Sequence, residues 1–216
     1  MTVLTISARC NFKLSREGLS ISFNYRARFS SDSPLIAHMY HHLLVLLGHR
    51  PSFPSRLRRI LLSPTPHPTI SDLSQKFPPS PSSPGYVTFC TPDDILIIEK
   101  DLKTAKIITS NEFLAVTNHD QIMESWSSEQ WVHALTKEGF PGIGAVREIL
   151  EDSVARKERM SRMWRSTSLK DAAVDVEDVK TWLTTEPIVN ELTHFSCIMD
   201  PAAQGGGLVW VRAYDS

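Results

Sequence analysis

The sequence predicts an α+β fold with antiparallel strands, arranged as one domain over residues 1–216. Three observations predict it. Short runs rich in Ile, Val, Phe and Thr crowd into residues 86–117, too close together for helical crossovers between them. Further strands are expected towards both ends of the chain, with helices between about residues 127 and 187. Strands and helices do not alternate regularly, as a parallel βαβ sheet would need.

The elements follow in order. Residues 2–8 alternate like a strand. Leu19, Ile21, Phe23 and Tyr25 then share one face of a strand, while Ser20, Ser22 and Asn24 share the other, the pattern of a sheet buried on one side. Residues 34–48 read as a helix, with Pro34 in its first turn and Gly48 as its stop. His38, His41 and His42 have spacings that would fit a metal on one helical face. No carboxylate or cysteine accompanies them, so a solvated or partly buried flank is expected and no metal is assigned. A second helix, about 54–62, carries Arg56, Arg58 and Arg59, expected to face water.

Nine of the fourteen prolines lie between Pro51 and Pro84. Proline removes a backbone donor and restricts the residue before it, so the Ser/Pro-rich residues 63–84 should form an extended or disordered insert. The meander follows: Tyr86–Cys90, Ile95–Glu99, Ala105–Thr109 and Glu112–Thr117. Ser127-Ser-Glu-Gln130 is a capping-box pattern before a helix at Trp131–Lys137. A longer helix runs from Ile143 to about Trp164, and Asp175 caps a last one that ends before Pro187. Two strands, about 193–199 and 207–213, close the chain around Gly205-Gly-Gly207.

Composition narrows the function. An apolar fraction of 41% suffices for a core, and a net charge of −1 gives no electrostatic case for nucleic acid. Cys10, Cys90 and Cys197 lack the paired spacing of a disulfide scaffold or a zinc site, and small buried apolar roles are expected for them. No cofactor is implied. The longest apolar run, Leu43–Leu47, is far too short to span a bilayer. The first residues lack a basic and apolar secretory pattern, and no Asn-x-Ser/Thr sequon occurs, which together favour a cytoplasmic location.

The segment with the most chemistry is Phe113-Leu-Ala-Val-Thr-Asn-His-Asp120. An apolar strand ending in Thr117, Asn118, His119 and Asp120 would place polar groups at a rigid, open strand end. The NH2 of an asparagine there can donate to a developing oxyanion. The same residues would also make an Asx turn.

Thr117-Asn118-His119-Asp120 resembles the Thr-Asn-Tyr-Asp motif of the acid ceramidase and N-acylethanolamine-hydrolysing acid amidase family, with His119 in the tyrosine's place. Three other segments are similar to that family in order and spacing. Gly18–Asn24 resembles a strand ending in Asn. Glu158-Arg159 and Arg162 fall where the family has an acidic-Arg-Arg segment. Residues 175–212 resemble its C-terminal end, with Pro187-Ile-Val-Asn190, Thr193 and the Ile198-Met-Asp200 corner. The likeness runs from about residue 17 to the end, across a divergent middle.

The resemblance implies a partial αββα sandwich of the N-terminal-nucleophile type, with two antiparallel sheets face to face. It implies hydrolysis of the fatty-acyl amide of a ceramide or N-acylethanolamine, by a Cys thiolate whose own free amine is the base. Asn118 would be an oxyanion donor and Asn24 a second, weaker catalytic candidate. Thr117, His119, Asp120 and Arg159 would position the site or the substrate; Asn190 and Thr193 would shape the lead-in to a strand. Trp126, Trp131, Trp164 and Trp182 would line an acyl channel or pack in the core.

No nucleophile is identified. The family's Arg-Asn-x-Asp strand does not occur here. Cys10 lacks it, Cys90 precedes Thr91 but also Pro92, and Cys197 lies in the C-terminal hairpin. The chain is therefore expected to be a truncated or C-terminal piece of the fold, with the nucleophile on an N-terminal fragment or subunit, or else a degenerate member without one. The alternatives are a non-catalytic interaction protein on this fold, or an enzyme of the penicillin acyltransferase group, whose Thr-Asn-His motif has His where this chain has His119.

Overall fold

A computed structural model describes residues 18–26, 33–63, 68–136, 143–168, 174–191, 193–203 and 207–214. The expected strand over residues 2–8, and Cys10, lie outside them. The fold is α+β with antiparallel sheets. β1 (Ser20–Tyr25), β2 (Gly85–Cys90), β3 (Ile95–Lys100) and β4 (Ala105–Ser110) form one sheet in sequence order. β5 (Phe195–Asp200) and β6 (Gly207–Ala213) form a second. Among the described residues six α-helices complete it: α1 (Leu35–Leu46), α2 (Phe53–Leu61), α3 (Ile70–Lys76), α4 (Ser128–Thr136), α5 (Ile143–Ser168) and α6 (Val176–Leu183).

The register of the meander explains its two faces. Phe23 pairs with Val87, Val87 with Ile98, and Ile98 with Ile107, all on one face. There Val87, Phe89, Leu96 and Ile98 are buried with Phe53 and Leu57 of α2, and with Leu73 and Phe77 from α3 and its end. Phe77 meets Phe53 and Phe89 edge-on, at ring distances of 5.7 and 5.6 Å. Such burial contributes roughly 1.5–3 kcal/mol per large apolar side chain. Gly85 is required here: a Cβ on it would come within 2.2 Å of the Phe23 ring, which itself lies against Phe53.

On the other face, Asn24 pairs with Tyr86 and Tyr86 with Glu99. The expectation of a polar face open to water is wrong. Ser20, Ser22, Asn24, Thr88 and Glu99 are all buried. The chain crosses this face, so the alternation of β1 separates two interiors rather than an inside from an outside.

The crossing chain is residues 113–117, which are not the strand expected at Glu112–Thr117. Their alternation has another cause. Leu114 and Val116 pack with Tyr86 and Ile97 of the sheet. Phe113 and Ala115 turn the other way, into a cluster of Met160, Trp182, Leu183, Ile188 and Ile198. An extended segment between two clusters shows the same period of two as a paired strand.

Two further expectations are corrected. The Ser/Pro-rich stretch contains α3: Thr69 and Asp72 form a reciprocal capping box, and Leu73 and Phe77 are buried. In α1 two of the three histidines point in, while His42 and several aliphatic residues face out. His38 and His41 are buried, whereas Ile36, Met39, Leu43 and Leu46 are exposed. His38 lies 3.8 Å from Asp101, and His41 Nδ1 lies 3.3 Å from Arg50. Burial pushes the His41 imidazole down to about 4, so it is neutral at pH 7.

Other elements match the sequence. Gly48, at φ 75°, ends α1. The amide of Ser127 donates to Gln130 Oε1 and the amide of Gln130 to Ser127 Oγ, closing the expected capping box before α4. Asp175 and Asp178 do the same for α6. Gly207 opens β6 at φ 138°, a conformation that only glycine adopts without strain. Cys90 is buried and Cys197 half-buried, with burial raising the Cys197 thiol above its ordinary value. Among the described residues, no helix is long and apolar enough to cross a membrane, and no group of three or more His, Cys, Asp or Glu is set to hold a metal.

Candidate functional site

Thr117–Asp120 sits where the crossing segment leaves the sheet; Arg26, β2 and α5 supply side chains to it, and β1 and β3 bond the residues on either side of it. Asp120 is the anchor. Arg26, just past β1, donates from Nε to Oδ1 at 2.7 Å and from Nη2 to Oδ2 at 2.6 Å. The Tyr86 hydroxyl donates to the same Oδ1 at 2.8 Å. Arg26 and Asp120 are both buried. Burial alone would lower the Arg26 guanidinium, but Asp120 outweighs it and holds Arg26 above its ordinary value. Burial and the Asp120 charge raise the Tyr86 phenol well above its usual range, so it stays a donor.

The neighbouring carboxylate, Glu99 on β3, accepts the Gln121 amide at 2.7 Å. Burial pushes the Glu99 carboxyl up. Asn24 donates from Nδ2 to the Val116 carbonyl at 3.4 Å, tying β1 to the residue before Thr117. Its Oδ1 is buried with no hydrogen-bond partner among the described residues.

His119 is part of the frame. It is buried, with Nδ1 2.8 Å from Ser153 Oγ and 3.1 Å from Thr117 Oγ1. Burial, reinforced by Lys157, lowers it to about 4, so the ring is neutral at pH 7. Ser153 on α5 also accepts the backbone amide of Asn118 at 2.7 Å. Ser153, His119 and Glu124 have the order of a nucleophilic triad, but not its geometry. His119 Nε2 is 3.8 Å from Glu124, Ser153 is fully buried, and the hydroxyl is engaged as a brace.

Asn118 itself is half-buried. Its side-chain Oδ1 accepts from Arg156 Nη2 at 3.2 Å, which restrains the carboxamide. Arg156 is buried, with Nε 2.8 Å from Asp152. Burial lowers its guanidinium and Asp152 offsets part of the effect.

The structure thus brings together Asn24, Thr117, Asn118, His119 and Asp120, all expected from the sequence. Arg159 is not joined to them: no hydrogen bond or ion pair links it to residues 117–120. Arg156, one turn earlier on α5, makes that contact, because Ser153 and Arg156 lie on the face of the helix turned to the segment. Asn190 and Thr193 bond each other, with the Asn190 amide to Thr193 Oγ1 at 3.0 Å and the Thr193 amide to the Asn190 carbonyl at 2.9 Å, and so shape the approach to β5. Trp164 stacks on Phe113 at 4.8 Å and meets Trp182 edge-on, while Trp126 packs against Trp131; these are packing roles.

Sequence reasoning missed Arg26, Tyr86, Ser153 and Arg156. One local signal existed: Arg26 stands two residues after Asn24, on the same side of an extended chain. No protein-family model matches the chain, and no curated protein matches it significantly.

Proposed function

We propose that this chain is an amide hydrolase of the acid-ceramidase type, acting on the fatty-acyl amide of a ceramide or N-acylethanolamine. The observation that carries this reading is the way Asn118 is held: backbone N–H on Ser153, side-chain carbonyl on Arg156, flanking residues buried and bonded. A carboxamide held at its carbonyl end is restrained in orientation, as an oxyanion donor must be. Such a donor needs no reorganisation when negative charge develops.

In the proposed reaction a thiolate adds to the amide carbonyl. The C–N bond of the tetrahedral intermediate breaks, the amine leaves with a proton, and water opens the thioester to the free acid. Asn118 Nδ2 donates to the oxyanion. Asn24, Thr117, His119 and Asp120 hold the segment from which it points. The two antiparallel sheets with their helices then form part of an αββα sandwich. The thiolate comes from outside the described residues. Cys90 lies opposite Ser20 in the β1–β2 ladder, at the other end of β1 from Asn24, and Cys197 lies in β5, in the second sheet.

That separation favours a second reading, a non-catalytic interaction protein on the same fold. His119 in place of tyrosine favours a third, an acyltransferase of the penicillin group. Incubation with an N-acylethanolamine and with a short-chain ceramide, followed by mass detection of free fatty acid, separates them. The hydrolase reading expects release above buffer. No release selects the non-catalytic reading, and transfer to a penicillin nucleus without hydrolysis of lipid amides selects the third.

A further inference from the structure

A cleft of about 460 Å³ opens between α2, α3 and the turn after Phe77, on the sheet face opposite Asn118. Its charge is one-sided. Arg50, Arg56, Arg59 and Lys76 line it, against a single carboxylate, Asp72. Asp72 is already taken: Lys76 Nζ lies 2.7 Å away, and Thr69 donates from both its amide and its hydroxyl. Among the described residues no carboxylate pairs with Arg50, Arg56 or Arg59.

Arg56 is the informative one. Its guanidinium lies 4.3 Å from the centre of the Phe77 ring and donates to the Phe77 and Ser80 carbonyls at 3.3 and 3.4 Å. Those contacts hold a half-buried cation in one pose while leaving its charge uncompensated. A partly buried cation is costly without a counter-charge, and burial lowers this guanidinium accordingly. Arg50 is held too, through His41. Two oriented guanidinium groups with the exposed Arg59 beside them suit a tetrahedral oxyanion, because the planar fork of arginine bonds two of its oxygens at once. Ile60, Leu73 and the Phe77 ring supply an apolar wall.

We infer that this cleft binds a small phosphate-bearing molecule, with Arg50, Arg56 and Arg59 on the phosphate and the Ile60–Leu73 side against its organic part. The site is independent of the amide chemistry across the sheet.

The test is isothermal titration with three probes: inorganic phosphate, glycerol 3-phosphate, and phosphatidylcholine vesicles with or without phosphatidic acid. Saturable binding of a phosphate form is expected, weakened roughly tenfold or more by R59Q and further in R50Q/R59Q, since each charge-assisted contact is among the stronger hydrogen bonds. Binding of the soluble probes identifies a metabolite as the source; binding only of phosphatidic acid vesicles identifies a lipid headgroup. R56Q tests the central cation. Because it also removes the contact with Phe77, R59Q, at an exposed position, decides if R56Q fails to fold. Failure of all three probes to bind, or unchanged affinity in folded R59Q, overturns the inference.

Discussion

Arg26 and Asp120, 94 positions apart, form a two-pronged ion pair that fixes the polar segment to the end of β1. Both are buried, and Tyr86 completes the coordination of the carboxylate. With the Asn24–Val116 and Glu99–Gln121 bonds, this contact ties the segment that carries Asn118 to the sheet. A buried pair of this kind is not valuable because it is ionic; its worth lies in the cost of breaking it.

Breaking it from one side is therefore expected to be severe. Arg26→Met leaves Asp120 charged and buried and should cost about 3–5 kcal/mol. Asp120→Asn keeps the shape and should cost less. Urea unfolding of both single variants and the double variant gives the coupling. The double variant should be more stable than the sum of the single losses implies, by at least ~1 kcal/mol. Strict additivity would mean that the pair does not hold the segment.

Ser153→Ala removes the brace shared by the Asn118 amide and His119. Loss of a buried partner typically costs about 1–3 kcal/mol. Amide exchange at Asn118 should accelerate more than exchange in β2 and β3. Equal changes in both would show a global effect and no local brace.

His119 gives the fold a pH dependence with a definite sign. Its folded value, about 4, lies below the ordinary 6.5. The unfolded chain therefore binds the proton more readily between those values, and stability falls as pH drops from about 6.5 towards 4. For a gap of this size the contribution is on the order of 3 kcal/mol, fully present above the unfolded value. In His119→Gln the acid-side loss measured by thermal melts at pH 7 and pH 4.5 should shrink. His41, lowered to about the same value, adds a dependence of the same sign.

Gly85→Ala tests the packing between β1 and β2. Its Cβ would overlap the outer edge of the Phe23 ring, which must shift against Phe53 to make room. Overpacking of this kind typically costs about 1–3 kcal/mol. Phe23→Ala in the Gly85→Ala background should cost less than Phe23→Ala alone, because it relieves the overlap.

Much of the meander was legible because its turns are short and its residues β-branched: β2, β3 and β4 fall within a residue of their expected limits. Local chemistry also exposed the caps at Ser127 and Asp175. The misses share a cause, the use of a local pattern by non-local contacts. Leu114 and Phe113 alternate because two clusters flank them. Ser20, Ser22 and Asn24 look solvent-facing but are buried, and Asn24 is bonded to the crossing segment at Val116. His38 is buried beside Asp101, more than sixty positions later in the chain. In the Ser/Pro-rich stretch the prolines masked Thr69-x-x-Asp72, which was present as a helix start. At the site, Thr117–Asp120 could be found from its residue types. Arg26, Tyr86, Ser153 and Arg156 join it only through the fold.

The most direct test of the proposed chemistry is the turnover of an N-acylethanolamine by Asn118→Ala beside the unaltered protein. If the Asn118 carboxamide donates to the oxyanion, kcat falls about 10²–10³-fold while KM changes little, the signature of an interaction made only in the transition state. Undiminished kcat in a folded Asn118→Ala protein would contradict it.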